Sequence, residues 1–264
     1  MRDTFFRDRQ RLLSGMVAVT CVIYFAAIFS FVKDTIPYLN PFSWDPTFAE
    51  WDRILHGGVD PYILLAPIFG NPLMTKLADS AYSFWLLLVH FFSFVACMDI
   101  GNPHRRNTFL FAFVLIWIIS GSVLAILLSS VGPVYYQAFG FGDQFMPLMN
   151  MLKDINDVQP LTALELQTML LDGYQSGNGM KGISAMPSMH VAMSWIIAFH
   201  AFQFHKTFGW LMVGFAVLIQ LSSVHLGWHY AIDGYLGFAA AIICWLLAKQ
   251  LANLQQRFEK RLAA

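Results

Sequence analysis

Two short stretches decide how this chain is read: Lys181-Gly-Ile-Ser-Ala-Met-Pro-Ser-Met-His190 and, after two apolar runs, His225-Leu-Gly-Trp-His229-Tyr-Ala-Ile-Asp233-Gly234. Of their residues, the histidines at 190 and 229 and the carboxylate at Asp233 stand at the edges of runs that otherwise look built for lipid. Desolvating an ionisable group is costly unless something compensates it, so such residues mark a functional site, and the remaining sequence is its scaffold.

Apolar residues make up 57% of the 264 positions and charged residues 12%. Soluble domains carry about 25% charged residues, so the composition predicts an integral membrane protein. Apolar runs at residues 12–32, 82–98, 108–131, 188–204, 209–227 and 231–251 approach the roughly 20 residues that a helix needs to cross a bilayer core. The expected fold is all-α: one integral membrane domain over residues 1–264, a bundle of six transmembrane helices with short interfacial and extracytoplasmic helices. The first run is too long for a signal peptide and ends at Phe31-Val32-Lys33-Asp34 without a small-residue cleavage pattern.

Between Lys33 and Asp79, prolines interrupt any long helix, and Tyr62 to Phe69 is too short to span, which suits a re-entrant or interfacial segment. The polar stretch from Gly132 to Pro187 contains turn signals and a short helix predicted from Leu161 to Gly173 behind Pro160. Cys21, Cys97 and Cys244 all lie inside apolar runs and read as buried small hydrophobes, with no disulfide or metal cluster expected. Zero net charge gives no reason to propose nucleic acid as a partner. The expected partners are the membrane and a lipid substrate, and the sequence leaves the oligomeric state open.

If both termini are cytoplasmic, eleven of the 16 Lys and Arg residues fall inside, and Lys33, Arg53, Lys76, Lys153 and Lys181 fall outside. That partition follows the positive-inside rule and places both histidine motifs at the extracytoplasmic face.

With Pro187 in the first turn of the fourth span, the amides of Ser188, Met189 and His190 are expected as free donors at a helix N-terminus, an anion-binding arrangement. His229 and Asp233 are four residues apart and share one face of a helix beginning near Trp228. Such a set can run phosphoryl transfer through a covalent intermediate. A neutral His229 attacks phosphorus, Asp233 on its other ring nitrogen fixes the tautomer, His190 protonates the leaving oxygen, and Ser188 with nearby amides holds the phosphate. Two other readings use the same residues. His225, His229 and Asp233, at i, i+4 and i+8 with His190 as a fourth, could ligate a metal on a continuous helix, although Gly227 is expected to break it. A six-span transporter for a lipid phosphate could use the histidines as a proton relay, but the sequence has no internal repeat.

Pro187-Ser188-Met189-His190, followed by Ser222 and by His229-Tyr-Ala-Ile-Asp233-Gly234, resembles the second and third signature motifs of the type 2 phosphatidic acid phosphatase superfamily. The resemblance implies a phosphohistidine on His229, His190 as the acid, Asp233 as its partner, and no metal or other cofactor. It further implies a lipid phosphatase or phosphotransferase acting on a phospholipid, sphingolipid or polyprenyl phosphate. The family's first motif, a Lys and an Arg-Pro at the outer end of the third span, has no match; that position reads Ser130-Val-Gly132-Pro133-Val-Tyr135-Tyr136, and Ser223 stands where the third motif carries an Arg. These departures resemble the branch containing inositol phosphorylceramide synthase and its bacterial relatives, which implies a bacterial inner membrane. Lys181 and His225 are the candidates to neutralise the phosphate, and Met189, Ser222 and Tyr136 complete the expected substrate contacts.

Overall fold

The computed structural model describes residues 2–177 and 182–262, with side chains described from Leu12 onward. Eleven α-helices follow in order among the described residues: α1 (Arg2–Leu39), α2 (Asp45–Leu55), α3 (Pro61–Phe69), α4 (Pro72–Met98), α5 (Pro103–Ile118), α6 (Ala125–Leu127), α7 (Met146–Val158), α8 (Thr162–Ser176), α9 (Met189–Ala201), α10 (Lys206–His225) and α11 (Ala231–Leu262). The protein is a polytopic membrane bundle. Five of its helical stretches are long and apolar enough to cross a bilayer: Leu12–Leu39, Pro72–Met98, Pro103–Leu127, Lys206–His225 and Ala231–Leu262.

The remaining expected span is the exception. Helix α9 has 13 residues, and at ~1.5 Å per residue it covers only about 20 Å. It is nonetheless the axis of the bundle: Ala192, Met193, Ile196, Ile197, Ala198 and Ala201 are all fully buried. It packs against α10, α11 and α5. Gly237 lets α11 approach closely, since a Cβ there would stand 2.7 Å from the Ser188 carbonyl oxygen. The connecting segment from Gly182 to Ser188 leads directly into its N-terminus.

Several boundaries differ from those the sequence suggested. Helix α4 begins at Pro72, not near Tyr82: Asn71 caps it by accepting from the Met74 amide at 3.0 Å. The polar residues of its outer turns are partnered, since Asp79 accepts from the amides of Thr162 and Ala163 at the start of α8. The third crossing passes from α5 through a π-helical segment, Ile119–Leu124, into α6 and leaves the helix before Val131. π-helical turns recur at functional sites, and this one carries Gly121 against Phe29 of α1. The polar stretch after Gly132 holds α7 as well as the expected α8. At the chain's far end, α11 continues to Leu262, well past the expected boundary near Leu251.

The segments 40–71, 128–177, 182–188 and 226–230 all lie at one end of the bundle, because α4, α9 and α11 start there and α1, α6 and α10 finish there. This capped end carries both histidine motifs.

Candidate active site

The His190 strand of the site is clamped from two sides. The Ala185 amide donates to the Ser130 carbonyl at 2.9 Å and the Met186 amide to Ser130 Oγ at 3.1 Å. The Ser188 amide donates to the Asp233 carbonyl at 3.0 Å, which ties the start of α9 to the first turn of α11. Ser188 Oγ accepts from the Val191 amide at 3.4 Å as an N-cap. The expectation that the Ser188 amide is a free anion donor is therefore corrected: it is bonded within the protein, and Pro187 lies just before the helix. Met189 and His190 are the first-turn residues whose amides have no intrahelical acceptor.

The His229 strand is set by a chain reversal. Gly227 adopts φ +74°, the left-handed region that glycine tolerates, and this terminates α10. The amides of Trp228 and His229 then both donate to the Ser223 carbonyl, at 3.0 and 3.2 Å. Helix α11 starts at Ala231, so His229 stands ahead of it and does not share a helical face with Asp233, as the sequence suggested. Their pairing spans the helix start instead: His229 Nδ1 lies 3.1 Å from Asp233 Oδ2, which also accepts from the Tyr230 amide at 3.1 Å. The same reversal separates His225 from the pair.

Two carboxylates that sequence reasoning passed over hold these strands in place. Asp52 of α2 accepts from the amides of Ala231 and Ile232 at 2.8 and 3.1 Å, acting as a distant cap for α11. Asp45 accepts from the amides of Val131 and Gly132 and from the Tyr230 hydroxyl, the last at 2.9 Å. Burial raises both carboxyl pKa values, and these donors pull them part of the way back. Gly132, at φ +85°, brings its backbone against that of Trp228: a Cβ there would lie 2.6 Å from the Trp228 carbonyl oxygen. The end of the third crossing is thus fitted directly to the His229 loop.

The two histidine rings meet edge-on, with centroids 6.2 Å apart. The His190 ring is covered by Tyr82, stacked at 4.2 Å, and by Trp85 at 4.1 Å. Trp228 stacks on Tyr82 at 6.2 Å. Tyr82 Oη, Trp85 Nε1, Trp228 Nε1 and Asp233 Oδ1 are buried there without a hydrogen-bond partner. Burial and then the positive charge of Lys33 push the His229 pKa down to about 3, against the pull of the Ala185 carbonyl. Its imidazole is therefore neutral at pH 7, the state a nucleophile needs.

The other expected site residues have different surroundings. His225 Nε2 lies 2.9 Å from Thr75 Oγ1, tying α10 to α4. Ser222 is fully buried, with its hydroxyl unpartnered near the end of α10. Tyr136 packs on Phe141 and Phe145 in a cluster with Met186 and Tyr230. Met189 packs toward the π-helical segment near Gly121. Lys181 lies outside the described residues. Among the described residues no group of three or more His, Cys, Asp or Glu side chains is arranged to hold a metal ion. A cavity of about 560 Å³ also opens at the capped end between α7 and α8; Lys153, Glu165 and Gln167 are among its lining residues, and neither catalytic-motif histidine reaches it.

The structure is thus a polytopic membrane bundle that brings a histidine–carboxylate pair beside a second histidine at its capped end. The PAP2 superfamily model matches residues 46–247, and the chain belongs to that superfamily. Membership indicates a phosphatase- or phosphotransferase-type enzyme acting on phosphate esters. No curated protein and no solved structure gives a significant match.

Proposed function

We propose that this protein transfers a phosphoryl group from a membrane lipid phosphate or phosphodiester through a phosphohistidine on His229, at the extracytoplasmic face and without a metal. The observation that carries the reading is the 3.1 Å contact between His229 Nδ1 and Asp233 Oδ2, made beside the His190 ring. With Nδ1 engaged, Nε2 is the nitrogen left for attack on phosphorus. As the Nε2–P bond forms, the bond from phosphorus to the leaving oxygen breaks, and that oxygen takes a proton from His190. A dianionic phosphate beside His190 favours its protonated form in the substrate complex. In the second half, the oxygen of water or a lipid hydroxyl bonds to phosphorus as the P–Nε2 bond breaks and frees neutral His229, and the proton of that hydroxyl passes to His190, which closes the cycle. The cover of Tyr82 and Trp85 over His190 limits water there, which suits proton transfer to a lipid alkoxide.

The test uses purified protein with labelled phosphatidic acid, polyprenyl pyrophosphate and phosphatidylinositol, with and without ceramide or diacylglycerol as acceptor. Free phosphate marks a phosphatase, and label in a new lipid marks a transferase. His229→Ala is expected to abolish both turnover and the acid-labile phosphoprotein seen on quenching. Wild-type turnover by a folded His229→Ala protein would overturn the covalent route.

A further inference from the structure

Phosphoryl transfer places negative charge on the non-bridging phosphate oxygens, and sites that catalyse it hold those oxygens with fixed cations and preorganised donors. The segment 130–136, which ends the third crossing, contains no Lys or Arg, and neither does the His229 loop. A cation must therefore arrive from elsewhere in the chain.

Helix α1 supplies one. Phe29 meets Trp117 edge-on at 4.5 Å and fills the space beside Gly121, and the point a Cβ would occupy on Gly121 is also 3.4 Å from Met189 Sδ. Lys33 lies four residues further along α1, one turn nearer the capped end on the same face. Its Cδ and Cε lie 3.2 and 3.5 Å from where a Cβ on Gly182 would stand, against the segment that leads to His190. Its charge is felt at both histidine rings. Among the described residues its ammonium takes part in no hydrogen bond or ion pair. Around the His190 ring, Tyr82 Oη, Trp85 Nε1 and Trp228 Nε1 are three buried donors without acceptors: Tyr82 and Trp85 pack on that ring, and Trp228 stacks on Tyr82. Buried donors left unpaired are costly, and an anion in their midst satisfies them.

We infer that Lys33 of the first span is the phosphate-binding cation of this site, and that the hydroxyl of Tyr82 and the indole N–H groups of Trp85 and Trp228 take the remaining phosphate oxygens. The inference rests on the phosphoryl-transfer reading of the same site. A neutral aromatic donor set carries less charge than a guanidinium cluster, so this seat suits a phosphate that stays close to the lipid surface and arrives with part of its charge esterified.

The experiment compares full-length wild-type protein, Lys33→Met and Lys33→Arg in lipid nanodiscs, reading steady-state kinetics on a short-chain phosphatidic acid and, separately, orthovanadate binding by isothermal titration. Lys33→Met keeps the side-chain length in an apolar helix, and an unchanged melting temperature certifies its fold. Expected are a loss of about 10²–10³ in kcat/KM, the range for removing one oxyanion-type stabiliser, and vanadate binding weakened at least ~10-fold, with Lys33→Arg restoring most of both. Wild-type kcat/KM and vanadate affinity in Lys33→Met would overturn the inference. If the wild type turns over no lipid phosphate but still loses vanadate in Lys33→Met, the seat stands and the reaction reading falls. Should Lys33→Met fail to fold, Lys33→Gln carries the same comparison.

Discussion

The first and last helices of the bundle make opposite use of the same apolar composition. In the most apolar window of α11, 56% of residues are buried inside the protein, against 11% for α1. Helix α11 carries Asp233 in its first turn and is pinned by Asp52 and by the Ser188 amide. Helix α1 turns Ile23, Ile28 and Phe31 outward, each more than 60% exposed, and reaches the site only near its end. The contrast separates two requirements of such a site. Groups that exchange protons or form bonds must be held within tenths of an ångström by a packed core. A charge that stabilises a phosphate acts over a longer range, so a helix at the bundle's edge can supply it.

The largest way to break this comparison is at the α11 end. Asp233→Asn keeps the side-chain shape but no longer enforces the tautomer of His229, and kcat is expected to fall by about 10²–10⁴. KM should change little, because the carboxylate faces the imidazole and not the phosphate. A variant with wild-type kcat would remove the carboxylate from the mechanism and with it the reason for burying the pair in the core.

Packing gives the second test. Ile197 in α9 is fully buried, whereas Ile23 in α1 is 62% exposed. Ile197→Ala is expected to cost about 2 kcal/mol or more through lost contacts and the cavity left behind, and Ile23→Ala to stay within about 0.5 kcal/mol. Reversible unfolding in mixed micelles measures both. Equal losses would mean that α1 is as deeply integrated as α9, for instance by packing against another copy.

The same contrast explains what could be read from sequence. The apolar runs and the spacing of Pro187, His190, His229 and Asp233 carried the helical bundle, five of its helices long enough to cross and α9 shorter, and singled out the two histidines, because burial in lipid leaves few polar positions and those stand out. Boundaries were harder wherever polar residues were partnered inside a helix. Lys76 and Asp79 look like loop residues until Asp79 is seen capping α8 and bonding Lys76 at 3.1 Å. Helix α7 was hidden by Lys153, Asp154 and Asp157, which are ordinary on the wet face of an amphipathic helix. Asp45, Asp52 and Lys33 escaped notice because they act on segments far away in sequence. Asp52 caps a helix 179 residues later, and no local pattern announces such a partner. Their one sequence signal is a charge placed near apolar or aromatic neighbours, as at Lys33 and in Trp44-Asp45 and Trp51-Asp52.

The smallest expected effect divides the two helices' influence on a single proton. Burial in the core is the larger cause of the low His229 pKa and the charge of Lys33 the smaller one. A folded pKa of about 3 lies below the ordinary 6.5, so the folded protein keeps His229 neutral where the unfolded chain protonates it. The resulting stability is fully present above pH 6.5 and is lost as pH falls through that window toward pH 3. Lys33→Met should raise the folded pKa and so narrow the window from its acid side, while most of the depression remains. Ring-carbon NMR of labelled histidine, run alongside melting temperatures from neutral to acid pH, resolves the two contributions. A return of His229 to its ordinary pKa in Lys33→Met would reverse the order of causes. The helix at the bundle's edge would then set the protonation state of the nucleophile, and the core would only set its position.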